Sequence, residues 1–474
     1  MATTTRERGG RNTPQPSGNR RTTSRRQRSN ESNSPAGSAA SPTGNAPAAR
    51  PADPPAKTGL RPLSRTGRPA SLPLRQLVLV ELAVAAGGLG WLAGGIWLVP
   101  GLVVAVALLL LAVVRRRGRA VQDWLAAVFA LRARRRRGTS AVLDPALDPA
   151  LVPIAENVPG FGPYTYVDRD RRTVGMLGDG TFLTAVVRVE ASGEALRPAS
   201  GARALPLSLL GDCLTVDDIV LESAQLLQQV RSAPAPHLPE RSAARLSHAT
   251  LQQQTPAPAL RMTWIALKLD PELAHEAVEA RGGGVAGAQR CLVRVADHVA
   301  SRVTGAGFRA VVLNQEELNS AVATTACART GGPAAGPAGG AAGGPGAGAG
   351  TGASRRTAET SRVWSCDDRL HTTYAVGRWP ELGRAATPLP RVVSALAEVP
   401  SYATTVSLTV RRGPHRGTST VAGHVRVTGD SDTQLVSVRK ELERMAGSAK
   451  VSLVRLDREQ LPGALATLPL GGAE

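Results

Sequence analysis

The sequence has few aromatic residues, few sulfur-containing residues and few lysines. Phe, Tyr and Trp together make up 3% of the 474 residues, and Met and Cys occur four times each. The cysteines Cys213, Cys291, Cys327 and Cys366 have neither the C-x-x-C spacing of a zinc site nor the pattern of a disulfide framework. We therefore expect four free thiols.

Several enzyme signatures are also absent. The sequence contains no G-x-x-x-x-G-K-[ST] phosphate loop, no H-E-x-x-H metal motif and no G-x-S-x-G nucleophile turn. These absences argue against a P-loop ATPase, a zincin and an α/β-hydrolase. The seven His residues are scattered without the spacing of metal ligands. We predict no catalytic residue, no cofactor and no metal site.

The basic charge of the chain is concentrated near its start. The formal net charge is +20, but residues 1–140 hold 23 Arg and Lys against 5 Asp and Glu, whereas the remaining 334 residues hold 34 against 32. A basic region around an apolar segment favours contact with anionic lipid headgroups, and the nearly neutral remainder argues against a nucleic-acid-binding domain. We predict anionic lipids as partners and no specific nucleic acid.

The longest apolar run extends from Leu77 to Val114 and carries no charged residue after Glu81. As one helix it would be about 50 Å long, which exceeds the roughly 30 Å of a bilayer core. Two shorter helices with a break between Gly94 and Gly101 would fit. Because arginines flank both ends, we predict a two-span transmembrane hairpin over residues 73–114 in the plasma membrane, with both termini in the cytoplasm.

Two sets of residues in and beside this hairpin are candidates for contacts. Ala86, Gly90 and Gly94 form a face of small residues that would seat either a partner helix or the second span. The residues expected at the membrane interface are Trp91, Trp97, Arg115, Arg116, Arg117 and Trp124. Residues 115–140 are predicted to form a basic amphipathic helix on the membrane surface, or else an extension of the second span.

Composition divides the remaining chain. Residues 1–72 are rich in Arg, Ser and Pro and are predicted to be a disordered cytoplasmic tail, and residues 329–356 are predicted to be a flexible Gly/Ala/Pro-rich insert. The segments 141–328 and 357–474 mix strand and helix patterns without regular alternation. The predicted fold class is a membrane-anchored α+β protein whose cytoplasmic later half is compatible with a ferredoxin-like arrangement. The insert either separates two domains or interrupts one.

Individual elements are predicted from propensity and from capping residues. Strands are expected at residues 181–190, 260–269, 308–313, 371–378, 403–411, 418–428 and 451–456. Helices are expected at residues 285–304, 315–326, 391–398 and 432–445. A further helix is expected from Thr215 to Val230, because Thr215 resembles an N-cap and two acids follow it.

Two alternative functions start from single features. Asp168-Arg169-Asp170 would suit a glycosyltransferase if its carboxylates held a divalent cation against a nucleotide sugar, although Asp is also common in hairpin turns. A membrane-tethered sensor would need a concave apolar pocket for its ligand.

The layout of the chain and one of its segments resemble a known family. A low-complexity tail precedes an apolar hairpin, an Arg-rich helix, the segment VPIAENVPGFGPYTYVDRDRRTVGMLGDGTFLTAVVRVE at residues 152–190, and an α+β body. This combination is similar to EccE, a component of the type VII (ESX) secretion system. The resemblance covers residues 73–328 and 357–474. It implies a non-catalytic structural subunit that assembles with the B, C and D components, including the FtsK-like ATPase.

Overall fold

The structure is a computed structural model of the chain. The described residues are 59–62, 74–113, 115–116, 119–138, 144–191, 204–231, 242–243, 246–247, 260–329, 355–382, 388–415 and 417–472. Most of the predicted tail, residues 330–354 of the predicted insert, and Arg117 lie outside the described residues.

Eleven α-helices are described here, numbered along the chain. They are α1 (Leu74–Ala93), α2 (Leu98–Val113), α3 (Val121–Gly138), α4 (Val152–Ala155), α5 (Leu207–Asp212), α6 (His275–Ala280), α7 (Gly284–Gly305), α8 (Gln315–Ala326), α9 (Leu389–Ala397), α10 (Asp432–Ser448) and α11 (Gln460–Leu465). A short 3-10 helix, Gly95–Trp97, connects α1 to α2.

The strands are numbered in the same way. They are β1 (Gly59–Pro62), β2 (Arg115–Arg116), β3 (Arg119–Ala120), β4 (Gly162–Pro163), β5 (Tyr166–Val167), β6 (Thr173–Val174), β7 (Met176–Gly178), β8 (Leu183–Ala191), β9 (Thr215–Val216), β10 (Ile219–Val220), β11 (Ser223–Arg231), β12 (Leu260–Leu269), β13 (Phe308–Val312), β14 (Thr357–Glu359), β15 (Trp364–Cys366), β16 (Arg369–Arg378), β17 (Ala403–Arg412), β18 (Thr418–Gly429) and β19 (Ser452–Arg455).

One sheet of 13 strands organises the body. Its main path is β14-β15-β16-β18-β17-β11-β12-β8-β7-β4, and β1, β13 and β19 pair with β18, β8 and β16 respectively. All of these pairs are antiparallel except that of β1 with β18. The sheet therefore contains strands from both sides of residues 330–354.

The sheet consists of two similar halves. In the first half the chain order β8, α5, β11, β12, α7, β13 gives the spatial order β13-β8-β12-β11. In the second half the order β16, α9, β17, β18, α10, β19 gives β19-β16-β18-β17. Both are the split β-α-β-β-α-β arrangement of ferredoxin-like units. The second strands of the two units, β11 and β17, pair with each other and join the units edge to edge.

Both faces of this sheet are covered, so its central strands are buried almost throughout, and this burial includes polar residues such as Gln225, Thr405 and Arg426. One cluster of buried side chains includes residues of α7, α9 and α10, and a second includes Trp264, Leu318, Val322 and Leu468. In the second cluster, α8 starts with a capping box in which Asn314 and Glu317 bond each other's backbone N–H groups. This pairing satisfies free donors of the first turn.

The chain leaves and re-enters the body at one place around residues 330–354. The Arg356 guanidinium donates a 2.8 Å hydrogen bond to the Arg329 carbonyl, and the Arg329 N–H donates one of 2.8 Å to the Asp367 carboxylate. Arg356 Nε also bonds Asp367 at 2.7 Å. Burial raises the pKa of Asp367, but the hydrogen bonds from Arg356 and Arg329 outweigh it and leave this pKa below its usual value.

A buried carboxylate attaches the start of the body to β14. Glu156, whose side chain is 5% exposed, accepts hydrogen bonds from the Arg356 N–H, the Thr357 N–H and the Thr357 hydroxyl at 2.7, 2.9 and 2.6 Å. A buried carboxylate needs hydrogen-bond donors in place of the water that it has lost, and these three bonds supply them. The segment around α4 is therefore held against the strand that follows the insert.

The predicted transmembrane hairpin is wrong. Within the described ranges, no helix combines the length and the apolar character needed to cross a bilayer. With 16 residues, α2 is about 24 Å long, which is shorter than a hydrocarbon core of roughly 30 Å. The 20 residues of α1 include Arg75 and Glu81. The prediction of two membrane crossings is therefore corrected, and the fold class is mixed α+β.

The predicted helix from Thr215 to Val230 is also wrong. These residues form the short hairpin β9–β10 and then β11, and the turn at Asp217 has a φ of 55°. Asp and Asn tolerate this left-handed backbone, so the two acids serve the turn instead of a first helical turn. The pairing of β11 with both β12 and β17 is a long-range contact that overrides the local pattern.

A substitution at Gly423 on β18 tests how tightly this strand packs against the side chains of Trp379 and Val376. A methyl group at this position would lie 2.6 Å from Trp379 Cζ2 and 2.8 Å from Val376 Cγ2. We expect Gly423→Ala to lower the free energy of unfolding by about 1–3 kcal/mol, because overpacking a core forces side chains out of their rotamers. Chemical denaturation of the full chain measures this change.

The matched control is Gly447→Ala in α10. No atom lies within 4 Å of a methyl group at Gly447. We expect this substitution to raise the free energy of unfolding by about 0.5 kcal/mol, since Ala costs less backbone entropy than Gly in a helix. Equal effects of the two substitutions would contradict the packing described for Gly423.

Candidate functional site

The helices α1 and α2 pack against each other through their glycines. A methyl group on Gly90 would lie 2.9 Å from the Gly101 Cα, and one on Gly101 would lie 3.1 Å from the Ala86 carbonyl oxygen. The two backbones are therefore in direct contact, as small residues permit. Of the predicted small-residue face, Ala86 and Gly90 meet α2 of the same chain, and Gly94 lies in the connection with a φ of 60°.

The outer surface of this hairpin is apolar and exposed. Leu92 and Ile96 are 83% and 85% exposed, and Trp91 and Trp97 are 77% and 66% exposed. Other exposed apolar residues on α1 and α2 are Leu82, Val84, Leu89, Val99, Leu102, Val103, Val104, Val106, Leu109 and Leu110. A contiguous apolar surface of this kind is typical of an interaction site. We call it the hairpin surface.

The predicted basic anchors lie directly after the hairpin. Arg115 and Arg116 form β2, which pairs with β3 in a small antiparallel ribbon before α3. Within α3, Phe129, Arg132 and Arg136 are exposed. The ribbon and α3 thus follow the hairpin in the chain, and several arginines belong to them.

An ion pair attaches α3 to the body. The Arg134 guanidinium donates two hydrogen bonds of 3.0 Å to the Glu359 carboxylate on β14, and a third of 2.6 Å to the Arg458 carbonyl. The Glu359 side chain is 5% exposed and also accepts a bond from the Leu461 N–H at 3.0 Å. A bidentate Arg–carboxylate pair fixes orientation as well as distance. Helix α3 is therefore joined to the sheet through an oriented contact.

A second contact supports the same junction. The Arg458 guanidinium lies 4.9 Å from the centroid of the Trp124 ring, within the range of a cation–π interaction. Arg135 Nε donates a 2.9 Å hydrogen bond to the Glu359 carbonyl. Trp124, predicted as a membrane anchor, therefore contacts the body. No local sequence signal could reveal these contacts, because Arg134 and Glu359 are 225 positions apart.

Asp168-Arg169-Asp170, the candidate metal motif, forms the turn of the β5–β6 hairpin. The Asp168 N–H donates to the Arg172 carbonyl at 2.9 Å, and the Asp168 carboxylate accepts from the Arg169 N–H at 2.7 Å. Arg171 completes the turn with a φ of 59°. No group of three or more His, Cys, Asp or Glu that could hold a metal ion occurs in the part of the chain that the structure describes.

The two acids of the β9–β10 turn, Asp217 and Asp218, also have structural partners. Asp218 accepts from Arg281 at 2.7 Å, and this hydrogen bond lowers the pKa of Asp218. Asp217 accepts from Arg294 at 3.1 Å.

The surface also has a groove of about 300 Å³ between the β7–β8 turn and α6–α7, lined by Tyr164, Phe182, Pro271, His275, Val278 and Val285. This volume is at the lower limit for a small-molecule site.

Comparisons with known proteins bear on the identity of the chain. Residues 257–376 match the family model described as "Putative type VII ESX secretion system translocon, EccE". The resemblance to EccE is confirmed. The EccE match extends from β12 to β16 and includes the insert, which the sequence analysis placed outside the resemblance.

Two curated relatives are both named "ESX-1 secretion system protein EccE1". The protein from Mycobacterium tuberculosis is 28% identical over 224 residues, which cover 44% of this chain and 42% of the relative. The protein from Mycolicibacterium smegmatis is 26% identical over 228 residues, which cover 45% of this chain and 42% of the relative. The chain thus spans less than half of the length of the EccE1 proteins that it matches.

The junction at Glu359 predicts a coupling between α3 and the body. We expect Arg134→Ala to release α3, because it removes a bidentate partner and leaves a nearly buried carboxylate without it. Hydrogen exchange measured by mass spectrometry should show faster exchange in α3 and in β14, by about tenfold or more, for a loss of about 1.4 kcal/mol.

The control for this experiment is Arg132→Ala, two residues earlier on an exposed part of the same helix. It removes an equal charge and should leave exchange in β14 unchanged. Unchanged exchange in the Arg134→Ala protein would show that the ion pair does not hold the helix.

Proposed function

We propose that this chain is a non-catalytic structural subunit of the type VII (ESX) secretion machinery. The observation that carries the proposal is the hairpin surface, which precedes the helix α3 that the Arg134–Glu359 ion pair attaches to the two-unit sheet. The family match supports the same reading, since the relatives are named as secretion system proteins. A glycosyltransferase has less support, because its candidate acids serve a turn.

We infer that the partners are other membrane components of the secretion machinery. The B, C and D components, including the FtsK-like ATPase, are the candidates that the resemblance to EccE implies. The hairpin surface would contact apolar helices of these partners, since its exposed side chains are aliphatic or aromatic and gain most by leaving water. The chain would thereby associate with the membrane complex.

Gly90→Leu tests this proposal. The close approach to Gly101 leaves no room for a side chain, so the substitution should separate α1 from α2 and distort the hairpin surface. We expect a tagged Gly90→Leu chain from the native host to recover about tenfold less of the secretion ATPase and its partners than the natural chain, a difference of about 1.4 kcal/mol. Quantitative mass spectrometry of purified membrane complexes in mild detergent measures the recovery.

The control is Gly447→Leu in α10, outside the hairpin surface. A methyl group at Gly447 would have no atom within 4 Å, so this substitution should leave recovery unchanged. Purification of the natural chain alone, at the size of a monomer, would overturn the proposed function. Full assembly of the Gly90→Leu protein would show that the hairpin surface takes no part in assembly.

We also infer that α3 binds anionic lipid headgroups next to the complex. Its exposed Phe129 and Arg132 provide an apolar group and a positive charge on the same helix. Basic amphipathic helices bind membrane surfaces through this combination. Each arginine near such a surface contributes about 1 kcal/mol.

Vesicle flotation tests the lipid contact. The full chain should float with vesicles that contain phosphatidylglycerol. The double variant Phe129→Ser, Arg132→Gln should float more than about fivefold less, because the loss of Arg132 alone accounts for roughly 1 kcal/mol. Vesicles of phosphatidylcholine alone provide the uncharged control. Equal flotation of both proteins with both lipids would contradict the inference.

A further inference from the structure

Arg426 is a fully buried arginine in the second unit of the sheet. It lies on β18, it is 0% exposed, and it is the second-largest fully buried side chain among the described residues. Thr405 of β17 and Thr373 of β16 lie directly opposite Arg426 on the two neighbouring strands. Directly paired residues project to the same face of a sheet, so these three side chains share one face.

The guanidinium of Arg426 is only partly satisfied by the body. Its Nη2 donates a short hydrogen bond to the Thr325 carbonyl at the end of α8. Its Nε and Nη1 have no hydrogen-bond acceptor among the described residues. A buried cation with free N–H groups is costly unless an anion or a strong acceptor meets it.

The groups around Arg426 supply no negative charge. Burial lowers the pKa of Arg426 to about 10, so the guanidinium stays charged at neutral pH. The neighbouring thiol of Cys366 stays protonated, because burial raises its pKa. The partial negative end of α8 at Thr325 compensates only a fraction of one charge. Residues 330–354, which follow α8 in the chain, contain no Asp or Glu.

The same region contains further buried polar atoms without partners among the described residues. The hydroxyls of Thr373 and Thr405 are buried and unbonded, and so is Nε2 of His371. The His371 ring is uncharged, because burial and the nearby charges of Arg426 and Arg369 lower its pKa. The two hydroxyls are able to donate hydrogen bonds, as are the two free nitrogens of Arg426. The two free nitrogens of Arg426 and the two hydroxyls therefore each have a hydrogen to donate and no partner among the described residues.

We propose that Arg426, Thr373 and Thr405 form a buried binding site for a small monovalent anion of the size of chloride. One negative charge balances the one guanidinium. The anion would accept hydrogen bonds from Nε and Nη1 of Arg426 and from the threonine hydroxyls. Because Arg426 also holds the last turn of α8, the bound anion would stabilise the attachment of α8 to the sheet, independently of the proposed secretion function.

Anomalous diffraction from a crystal of the full chain grown with sodium bromide tests the site directly. We expect a bromide peak within about 3.5 Å of Arg426 Nε or Nη1. A water molecule at this position, with no anomalous signal, would overturn the proposal.

Hydrogen exchange measures the site in solution. In sodium chloride, compared with sodium gluconate at equal ionic strength, the amides of residues 323–328 should exchange more slowly. Above the dissociation constant, the protection should increase about tenfold for each tenfold increase in chloride, since the anion binds only the closed state. Equal exchange in the two salts would overturn the proposal.

Two variants and a control assign the effect to this site. Arg426→Met should abolish the difference between chloride and gluconate. If that protein does not fold, Thr405→Val, which keeps the shape and removes one donor, should reduce the difference severalfold. Arg444→Met removes an exposed arginine that is paired with Glu441 on α10, and it should leave the difference unchanged. A chloride effect of full size in the Thr405→Val and Arg426→Met proteins would place the anion elsewhere.

Discussion

The pairing of β11 with β17 is the contact on which the rest of the structure depends. Seven residue pairs, from Ala224 with Val410 to Val230 with Thr404, join two ferredoxin-like units into one continuous sheet. Without it, each unit would expose the edge of its second strand, which would be open to pairing with another chain. Because the join lies at the centre of the sheet, single segments contact both units. The Thr324 and Thr325 carbonyls of α8 accept hydrogen bonds from Gln229 and Arg426, and the Ala466 carbonyl after α11 accepts from Gln225 and Ser407.

Polar side chains then attach the peripheral segments to this sheet. Glu156, Glu359 and Asp367 are nearly buried carboxylates, and each is met by an arginine and by backbone N–H groups. Satisfied in this way, a buried charge has one favourable arrangement and orients what it holds. Arg426 differs from these groups, because no carboxylate meets it among the described residues. That difference is the basis for the anion site.

Local patterns predicted much of the secondary structure. Strand β12 and helix α8 were both predicted at their observed residues, 260–269 and 315–326. The prediction failed at residues 215–230, where two acids that suit a first helical turn serve a left-handed turn instead. At the apolar run the break beginning at Gly94 was predicted correctly, but the two membrane spans were not, since no described helix is both long and apolar enough to cross a bilayer.

The sequence by itself determined the elements that depend on neighbouring residues: the glycine break between two apolar helices, the capped α8, most strands, and the concentration of basic charge before residue 140. Tertiary structure decided which side chains of these elements are packed and which are exposed. It placed Gly90 against Gly101, left the aliphatic side chains of the hairpin exposed, and brought Arg134 to Glu359 and Arg426 beneath α8. These contacts join residues that lie up to hundreds of positions apart, where hydrophobic period and capping preference carry no information. They depend on strand pairing and on the need to satisfy buried charge, which exist only in the folded chain.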